Sequence, residues 1–140
     1  MNGQDIHEQA RLLLTKAGQD ALVVTSHGIH GENFSDSIYG FHAQQAVEKA
    51  IKAVLWIRRG EVPAFTHDLG RLWVALASDR PGFPLSSETL TRLTPYAVVY
   101  RYDIEDECEP MPVSEMQSAV GLVLAWAQII LETSNPTPPL

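Results

Sequence analysis

The amino-acid sequence predicts an all-α protein, an up-and-down bundle of about five helices. Apolar residues recur three and four positions apart along most of the chain, which is the period of an amphipathic helix. Gly and Pro residues close these periodic segments, and the links between them are short. Short links favour antiparallel neighbours, so the segments should pack as a bundle.

The first two predicted helices are the longer ones of the N-terminal half. The first runs from about Asp5 to Val24, and the Gly-containing segment after it ends the helix. The second follows a cap at Ser35 or Asp36 and runs to about Arg59, where Gly60 stops it. The first helix is supported by apolar residues at Ile6, Ala10, Leu13, Ala17 and Ala21.

The third and fourth predicted helices are shorter. Thr66 can cap the third, whose apolar positions follow the i, i+3, i+4, i+7 pattern and end before Pro81-Gly82. Ser86 or Ser87 opens the fourth. Pro95 cannot continue it without losing a hydrogen bond, so we expect a break and a fresh turn from Thr94. The apolar positions of the third helix are Leu69, Leu72, Trp73 and Leu76.

The last predicted helix, from about Val113 to Glu132, has the clearest periodicity in the chain. Three prolines after it predict that residues 135–140 form a flexible tail. At 140 residues the chain is long enough for one core, so we expect a single helical domain over residues 1–134.

Composition limits the classes of function. Hydrophobic residues make up 45% and charged residues 19% of the chain, as in an ordinary globular domain. The net charge is -7 and the pI is about 5.1. Non-specific nucleic-acid affinity comes mainly from cations that neutralise phosphates. Any contact with RNA must therefore be local.

Cysteine usage and apolar segments bear on the compartment. Cys108 is the only cysteine, which excludes an intrachain disulfide and favours a reducing cytoplasm. The N-terminus lacks the basic and apolar pattern of a secretion signal. The longest apolar stretch, Ala119 to Leu131, contains Gln128 and is shorter than the roughly 20 residues that a spanning helix needs. We therefore predict no membrane segment, and no motif in the chain indicates a cofactor.

The second predicted helix carries an unusual polar face. Four residues on it are spaced i, i+4, i+7 and i+11 and form one continuous strip, here called the α2 strip. A solvated helix face explains the charges alone. A Trp among cations indicates more, because Trp is enriched at the centres of protein interfaces. We expect this face to meet a second subunit or a partner. The α2 strip consists of Gln45, Lys49, Lys52 and Trp56.

His67 and Arg101 are the other candidate site residues. His67 follows the predicted cap Thr66 and should lie in the first turn of the third helix. It could contact a carboxylate or a bound anion, or could simply pack between helices. Arg101 and Tyr102 should end the fourth helical region, where a cation also suits the helix dipole.

Two patterns resemble metal sites weakly, and we predict no metal. Five carboxylates surround Cys108 between Asp103 and Glu109, but the spacing of a calcium loop is missing. His27 and His30 near Glu32 could share a metal, although a lone His-x-x-His is weak evidence.

Three segments in order make the chain resemble the HEPN family: one in the second predicted helix, Thr66-His67 with Leu69, and Arg101-Tyr102. The resemblance covers roughly Asp5 to Glu132. It implies a small helical bundle that commonly dimerises and is often encoded beside a minimal nucleotidyltransferase as a two-part, toxin-antitoxin-like module. The matching residues of the second helix are Phe41, Gln44, Gln45, Ala46, Glu48, Lys49, Lys52 and Ala53.

Many members of that family are ribonucleases that use an Arg followed four to six residues later by a His. Here no His follows His67, and Arg59 and His67 are separated by seven residues that include Gly60 and Pro63. We therefore expect a non-catalytic, cytoplasmic homodimer that binds a small nucleotidyltransferase. An alternative is a divergent ribonuclease, toxin-like and without a metal, that uses His67 and Arg101. A third hypothesis is a nucleotide sensor in which Lys49, Lys52 and Arg101 hold phosphates.

Overall fold

Three long helices form the body of the molecule. The computed structural model describes residues 2–29, 34–61, 66–98 and 110–134. The long helices are α1 (Gly3–Thr25), α2 (Asp36–Arg59) and α5 (Val113–Thr133). Two short helices lie between them in sequence, α3 (Leu69–Leu76) and α4 (Ser87–Leu93), each followed by a 3₁₀ segment, Ala77–Gly82 and Thr94–Ala97. The predicted all-α bundle is confirmed.

The direction of the long helices follows from contacts between their ends. Ile6, near the start of α1, lies beside Gly60 at the end of α2, and the His27 ring after α1 meets the Tyr39 ring early in α2. These two helices are therefore antiparallel. At the far end of the chain, Gln117 early in α5 donates to the carbonyl of Val24, so α5 also runs against α1.

The core lies around α2, which packs against α1, α5, α3 and the second 3₁₀ segment. The sequence predicts one apolar arc on α2, and all of it is buried except the half-buried Ile57; residues outside that arc are buried too. The arc consists of Ala43, Ala46, Val47, Ala50, Val54 and Ile57. An amphipathic helix that touches one neighbour buries one face, whereas a helix enclosed by several elements is buried almost all round. The buried residues beyond the arc are Ser37, Tyr39, Gly40, Gln44, Glu48, Ile51, Ala53 and Leu55.

The short helices begin where side chains satisfy free backbone amides. The Asp68 carboxylate accepts from the amides of Gly70 and Arg71, so α3 begins at Leu69. Thr66 was the predicted cap and this was wrong. The Thr66 hydroxyl accepts from the amide of Asp68, which is the residue before the helix, and not from an amide of the helix itself. His67 consequently lies before the helix and not in its first turn.

The break predicted at Pro95 is present. Ser86 caps α4 by accepting from the Thr89 amide, and a 3₁₀ turn begins at Thr94 after α4 ends at Leu93. The ring of Tyr96, in this turn, lies against Gly40 of α2, where no Cβ could fit. Its hydroxyl accepts from the Met111 amide, which ties α2 to the start of α5.

α5 has 21 residues and is longer than the apolar stretch Ala119 to Leu131 within it, from which we predicted no membrane segment. Within the described residues it is the one helix long and apolar enough to cross a membrane, a test that core helices of globular proteins also pass. Six of its residues are buried in the bundle. The predicted tail, residues 135–140, lies outside the described residues.

Candidate functional site

A buried carboxylate, Glu48, is the centre of the most connected polar cluster that the structure describes. Glu48 lies in the middle of α2 with only 4% of its surface exposed. Lys52, one turn later on the same helix, places its Nζ 3.0 Å from Oε2. Glu followed by Lys at i+4 is the favourable order along a helix. A buried ionised group needs partners of this kind, because burial removes its hydration.

His67 reaches Glu48 from the segment that precedes α3. Its Nδ1 lies 2.8 Å from Glu48 Oε1, while 64% of the His67 side chain is exposed. A carboxylate has no proton to donate, so Nδ1 must carry the hydrogen of this bond. In the neutral ring the lone pair then lies on Nε2, which has no hydrogen-bond partner among the described residues.

Gln44 fixes the other side of this pair. Its amide nitrogen donates to Glu48 Oε1 over 3.0 Å and to the backbone carbonyl of His67 over 2.9 Å. The opposite amide orientation would place its oxygen against two acceptors, so the assignment follows from the partners. Gln44 Oε1 in turn accepts from Gln45 Nε2. The ring and the backbone carbonyl of His67 are therefore both hydrogen-bonded to side chains of α2. Here the group Glu48, Gln44, Lys52 and His67 is called the Glu48 cluster.

A second cluster of similar chemistry joins α1 to α2. Asp20 of α1 is 8% exposed, and its Oδ1 lies 2.8 Å from His42 Nδ1. Lys49 Nζ lies 2.5 Å from the other carboxylate oxygen. The His42 side chain is 29% exposed, less than half the value for His67. This second cluster therefore offers its imidazole much less openly to solvent.

The α2 strip, which we expected to meet a second subunit or a partner, is partly covered within the chain itself. Lys49 forms an ion pair with Asp20, and Lys52 forms one with Glu48. The side-chain amide of Gln45 donates to Gln44 Oε1. Trp56, which the sequence predicts to be an exposed residue of this face, is half-buried and packs against the core of its own chain. The difference arises because α2 is central, so its polar face meets α1 and the segment before α3.

Arg101 and Tyr102 lie outside the described residues, as do the acidic segment Asp103 to Glu109, His30 and Glu32. Among the described residues no three His, Cys, Asp or Glu side chains come together in a way that could hold a metal ion.

A cavity of about 280 Å³ lies away from both clusters, between the first half of α1 and the end of α5. His7 is buried beside it. Its Nε2 donates to the carbonyl of Leu131, and its Nδ1 accepts from Arg11. The remaining lining residues are Leu14, Thr15, Gln128 and Glu132.

The sequence pointed to His67, Lys52 and Gln45 as site residues, and to Gln44 and Glu48 only as positions that match the family. Gln44 and Glu48 are four residues apart, and Lys52 follows four residues later, so an i, i+4, i+8 polar row was visible. Asp20 and His42 left no signal of this kind, because they meet only through packing of α1 on α2.

Comparison with known protein families decides the classification. The model of the HEPN domain matches residues 26–130, which is three quarters of the chain. The chain belongs to the HEPN family. The HEPN match contains the whole Glu48 cluster, whereas Asp20 and the His7 cavity residues of α1 precede it. Neither the curated proteins nor the solved structures gave a match.

Proposed function

We propose that this HEPN protein is a dimeric helical binding module that acts with a small nucleotidyltransferase and lacks the usual nuclease pair of the family. The observation that supports the dimer is an exposed, largely apolar stripe on α5, pointing away from the bundle. Four residues spaced i, i+4, i+7 and i+11 form it, here called the α5 stripe. The stripe consists of Ser118, Leu122, Ala125 and Ile129, all exposed.

The α5 stripe has the character of an interface. Leu122 is 50% and Ile129 is 60% exposed, and no charged residue lies between them in sequence. Contiguous exposed apolar surface marks interaction sites, since its burial is favourable by about 25 cal/mol per Å². A straight stripe on one helix can pair with the same stripe of a second copy about a two-fold axis. We therefore place the homodimer contact on α5 and not on the α2 strip.

The oligomeric state tests this proposal directly. Leu122→Lys together with Ile129→Lys puts two charges into the stripe, and we expect the dimer dissociation constant to rise at least about tenfold, which corresponds to about 1.4 kcal/mol. Light scattering over a concentration series measures it. Leu22→Lys, on the exposed side of α1 at 69% exposure, is the matched control and should leave the constant unchanged. A wild-type protein that stays monomeric at high concentration contradicts the proposal.

The nucleotidyltransferase partner is tested by affinity capture from the native cells. We expect the retained fraction to contain a small protein with the Gly-Ser and paired-aspartate signature of a nucleotidyltransferase. Capture that lacks such a protein argues against this part of the proposal and leaves the dimer intact.

Nucleotide binding is a narrower form of the same proposal. Lys49 and Lys52 already neutralise Asp20 and Glu48, so a phosphate would have to compete with two carboxylates for them. A ligand that binds only the folded state raises the melting temperature. Thermal unfolding with and without millimolar ATP measures this, and an unchanged Tm removes the nucleotide from the proposal.

A ribonuclease is the second candidate, and the geometry of His67 favours it. An imidazole held by a buried carboxylate and open to solvent is suited to proton transfer. Arg101, which we expected to act with it, lies outside the described residues. His67→Ala should abolish cleavage of a single-stranded RNA, whereas cleavage that survives this change would end the candidate.

A further inference from the structure

We propose that the cavity between the first half of α1 and the end of α5 binds a free amino acid with an apolar side chain. Arg11 receives the carboxylate of this ligand, and Glu132 receives its ammonium group. The inference goes beyond the proposed function and does not depend on the dimer, the nucleotidyltransferase or RNA.

The two walls of the cavity carry opposite charges that do not pair with each other. Arg11 and Thr15 line it from α1, and Gln128 and Glu132 line it from α5. Among the described residues the Arg11 guanidinium has no carboxylate partner, and the Glu132 carboxylate accepts only from the neutral amide of Gln128. A cation and an anion that line one cavity without meeting fit a ligand that has one charge of each sign.

Arg11 is anchored at one nitrogen, which leaves other donors for a ligand. Its Nη2 donates to Nδ1 of the buried His7 over 3.1 Å, and His7 is fixed in turn by the 3.2 Å bond from its Nε2 to the Leu131 carbonyl. A guanidinium has five N–H donors in one plane, so this contact does not exhaust them. Arg–carboxylate pairs are frequently bidentate, which sets the direction of the ligand as well as its charge.

The end of α5 favours a cation beside Glu132. The last carbonyls of a helix have no partners within it and make this end negative. The last turn of α5 has no basic residue to compensate, and residues 135–140 contain no Lys, Arg or His. Glu132, in that turn, adds a further negative charge. An ammonium group bound here meets the carboxylate and the negative end of the helix together.

The rest of the lining selects the size and the side chain of the ligand. Leu14 and Leu131 are 8% and 4% exposed and form the apolar part of the lining. An aliphatic or aromatic side chain gains by leaving water for this surface. Pockets for drug-sized ligands hold about 300–1,000 Å³. A cavity of about 280 Å³ is therefore small for a nucleotide and suits a single amino acid.

NMR titration of the full chain with L-leucine tests the proposal, and two analogues each remove one charge. L-Leucinamide lacks the carboxylate, and 4-methylpentanoate lacks the ammonium group. We expect L-leucine to bind with a dissociation constant in the millimolar range or below, and to shift the amide signals of the cavity residues. Each analogue should bind at least about tenfold more weakly, because it loses a charge-assisted hydrogen bond.

Two substitutions locate the charges. Arg11→Gln should weaken L-leucine binding at least about tenfold and change L-leucinamide binding less than about twofold, since the amide makes no ion pair with Arg11. Glu132→Gln should weaken L-leucine binding in the same way and leave that of 4-methylpentanoate unchanged. Lys16→Gln of α1 and Glu88→Gln of α4 remove the same charges at exposed positions outside the cavity. These matched controls should alter none of the affinities.

The wild-type titrations remain decisive even if a substituted chain fails to fold. The proposal is overturned if L-leucine, L-methionine and L-phenylalanine all leave the spectrum unchanged at millimolar concentration. Equal binding of L-leucine and its two analogues also overturns it, because the cavity would then be an apolar site that ignores charge. Shifts confined to the Glu48 cluster would place the ligand elsewhere and overturn it as well.

Discussion

At the scale of single residues, the buried carboxylates Glu48 and Asp20 show how this chain places charge in its interior. Each accepts from one His and one Lys, so both oxygens are occupied. No buried side-chain nitrogen or oxygen of the described residues lacks a hydrogen-bond partner. This is the condition under which buried polar groups are tolerated.

Gly40 provides a prediction at the same scale. A methyl group at this position would overlap the Tyr96 ring, which is itself buried and held through its hydroxyl. We expect Gly40→Ala to lower the free energy of unfolding by about 1–3 kcal/mol, because an overpacked core must move side chains or backbone. Urea denaturation measures the change.

Gly18 is the matched control for this substitution. It lies inside α1, and a methyl group there would meet nothing within 4 Å. Gly18→Ala should raise the free energy of unfolding by up to about 1 kcal/mol, because Ala is the better helix former. Equal effects of the two substitutions would show that the Tyr96 contact does not govern Gly40.

At the scale of elements, the central place of α2 explains both the success and the failure of its predicted faces. Of the predicted apolar arc, Ala43, Ala46, Val47, Ala50 and Val54 are fully buried, whereas Ile57 is half-buried. On the opposite side, the α2 strip is half-buried, because α1 and the segment before α3 cover it. Helical periodicity locates the most apolar face, but it does not count how many neighbours a helix has.

Two serines at the starts of helices allow a matched test of capping. Ser86 and Ser35 both occupy the N-cap with extended backbone, but only the Ser86 hydroxyl accepts from a helix amide, that of Thr89. Ser86→Ala should cost about 0.5–2 kcal/mol in the free energy of unfolding. Ser35→Ala should cost less. Chemical denaturation compares them, and a larger loss at Ser35 would contradict the observed cap.

At the scale of the whole molecule, the bundle is closed by a contact between residues 124 positions apart. His7 of α1 is 5% exposed and donates to the carbonyl of Leu131 in the last turn of α5. A carbonyl only accepts, so the ring proton is on Nε2 and Nδ1 accepts from Arg11. The beginning and end of the described chain are thereby joined.

We expect His7→Leu to lower the free energy of unfolding by about 0.5–1.5 kcal/mol, since it removes the imidazole hydrogen bond to the Leu131 carbonyl, which then keeps, among the described residues, only a 3.4 Å bond from the Ser134 amide. Hydrogen exchange should accelerate in the first half of α1 and the last turn of α5. Gln9→Leu, at an exposed position two residues away, is the control and should change neither quantity much. Loss of protection spread evenly over α2 would contradict a local role for His7.

The sequence by itself determined the helical class, the approximate helix ends, the break at Pro95 and the family. These follow from periodicity, from Gly and Pro, and from short motifs, all of which act between neighbours in the chain. It also showed that no His follows His67. The tertiary structure alone decided that Glu48 is buried, that Lys49 and Lys52 are neutralised internally, and that His67 is held with Nε2 toward solvent. Each of these depends on residues from separate elements that meet only when the bundle packs.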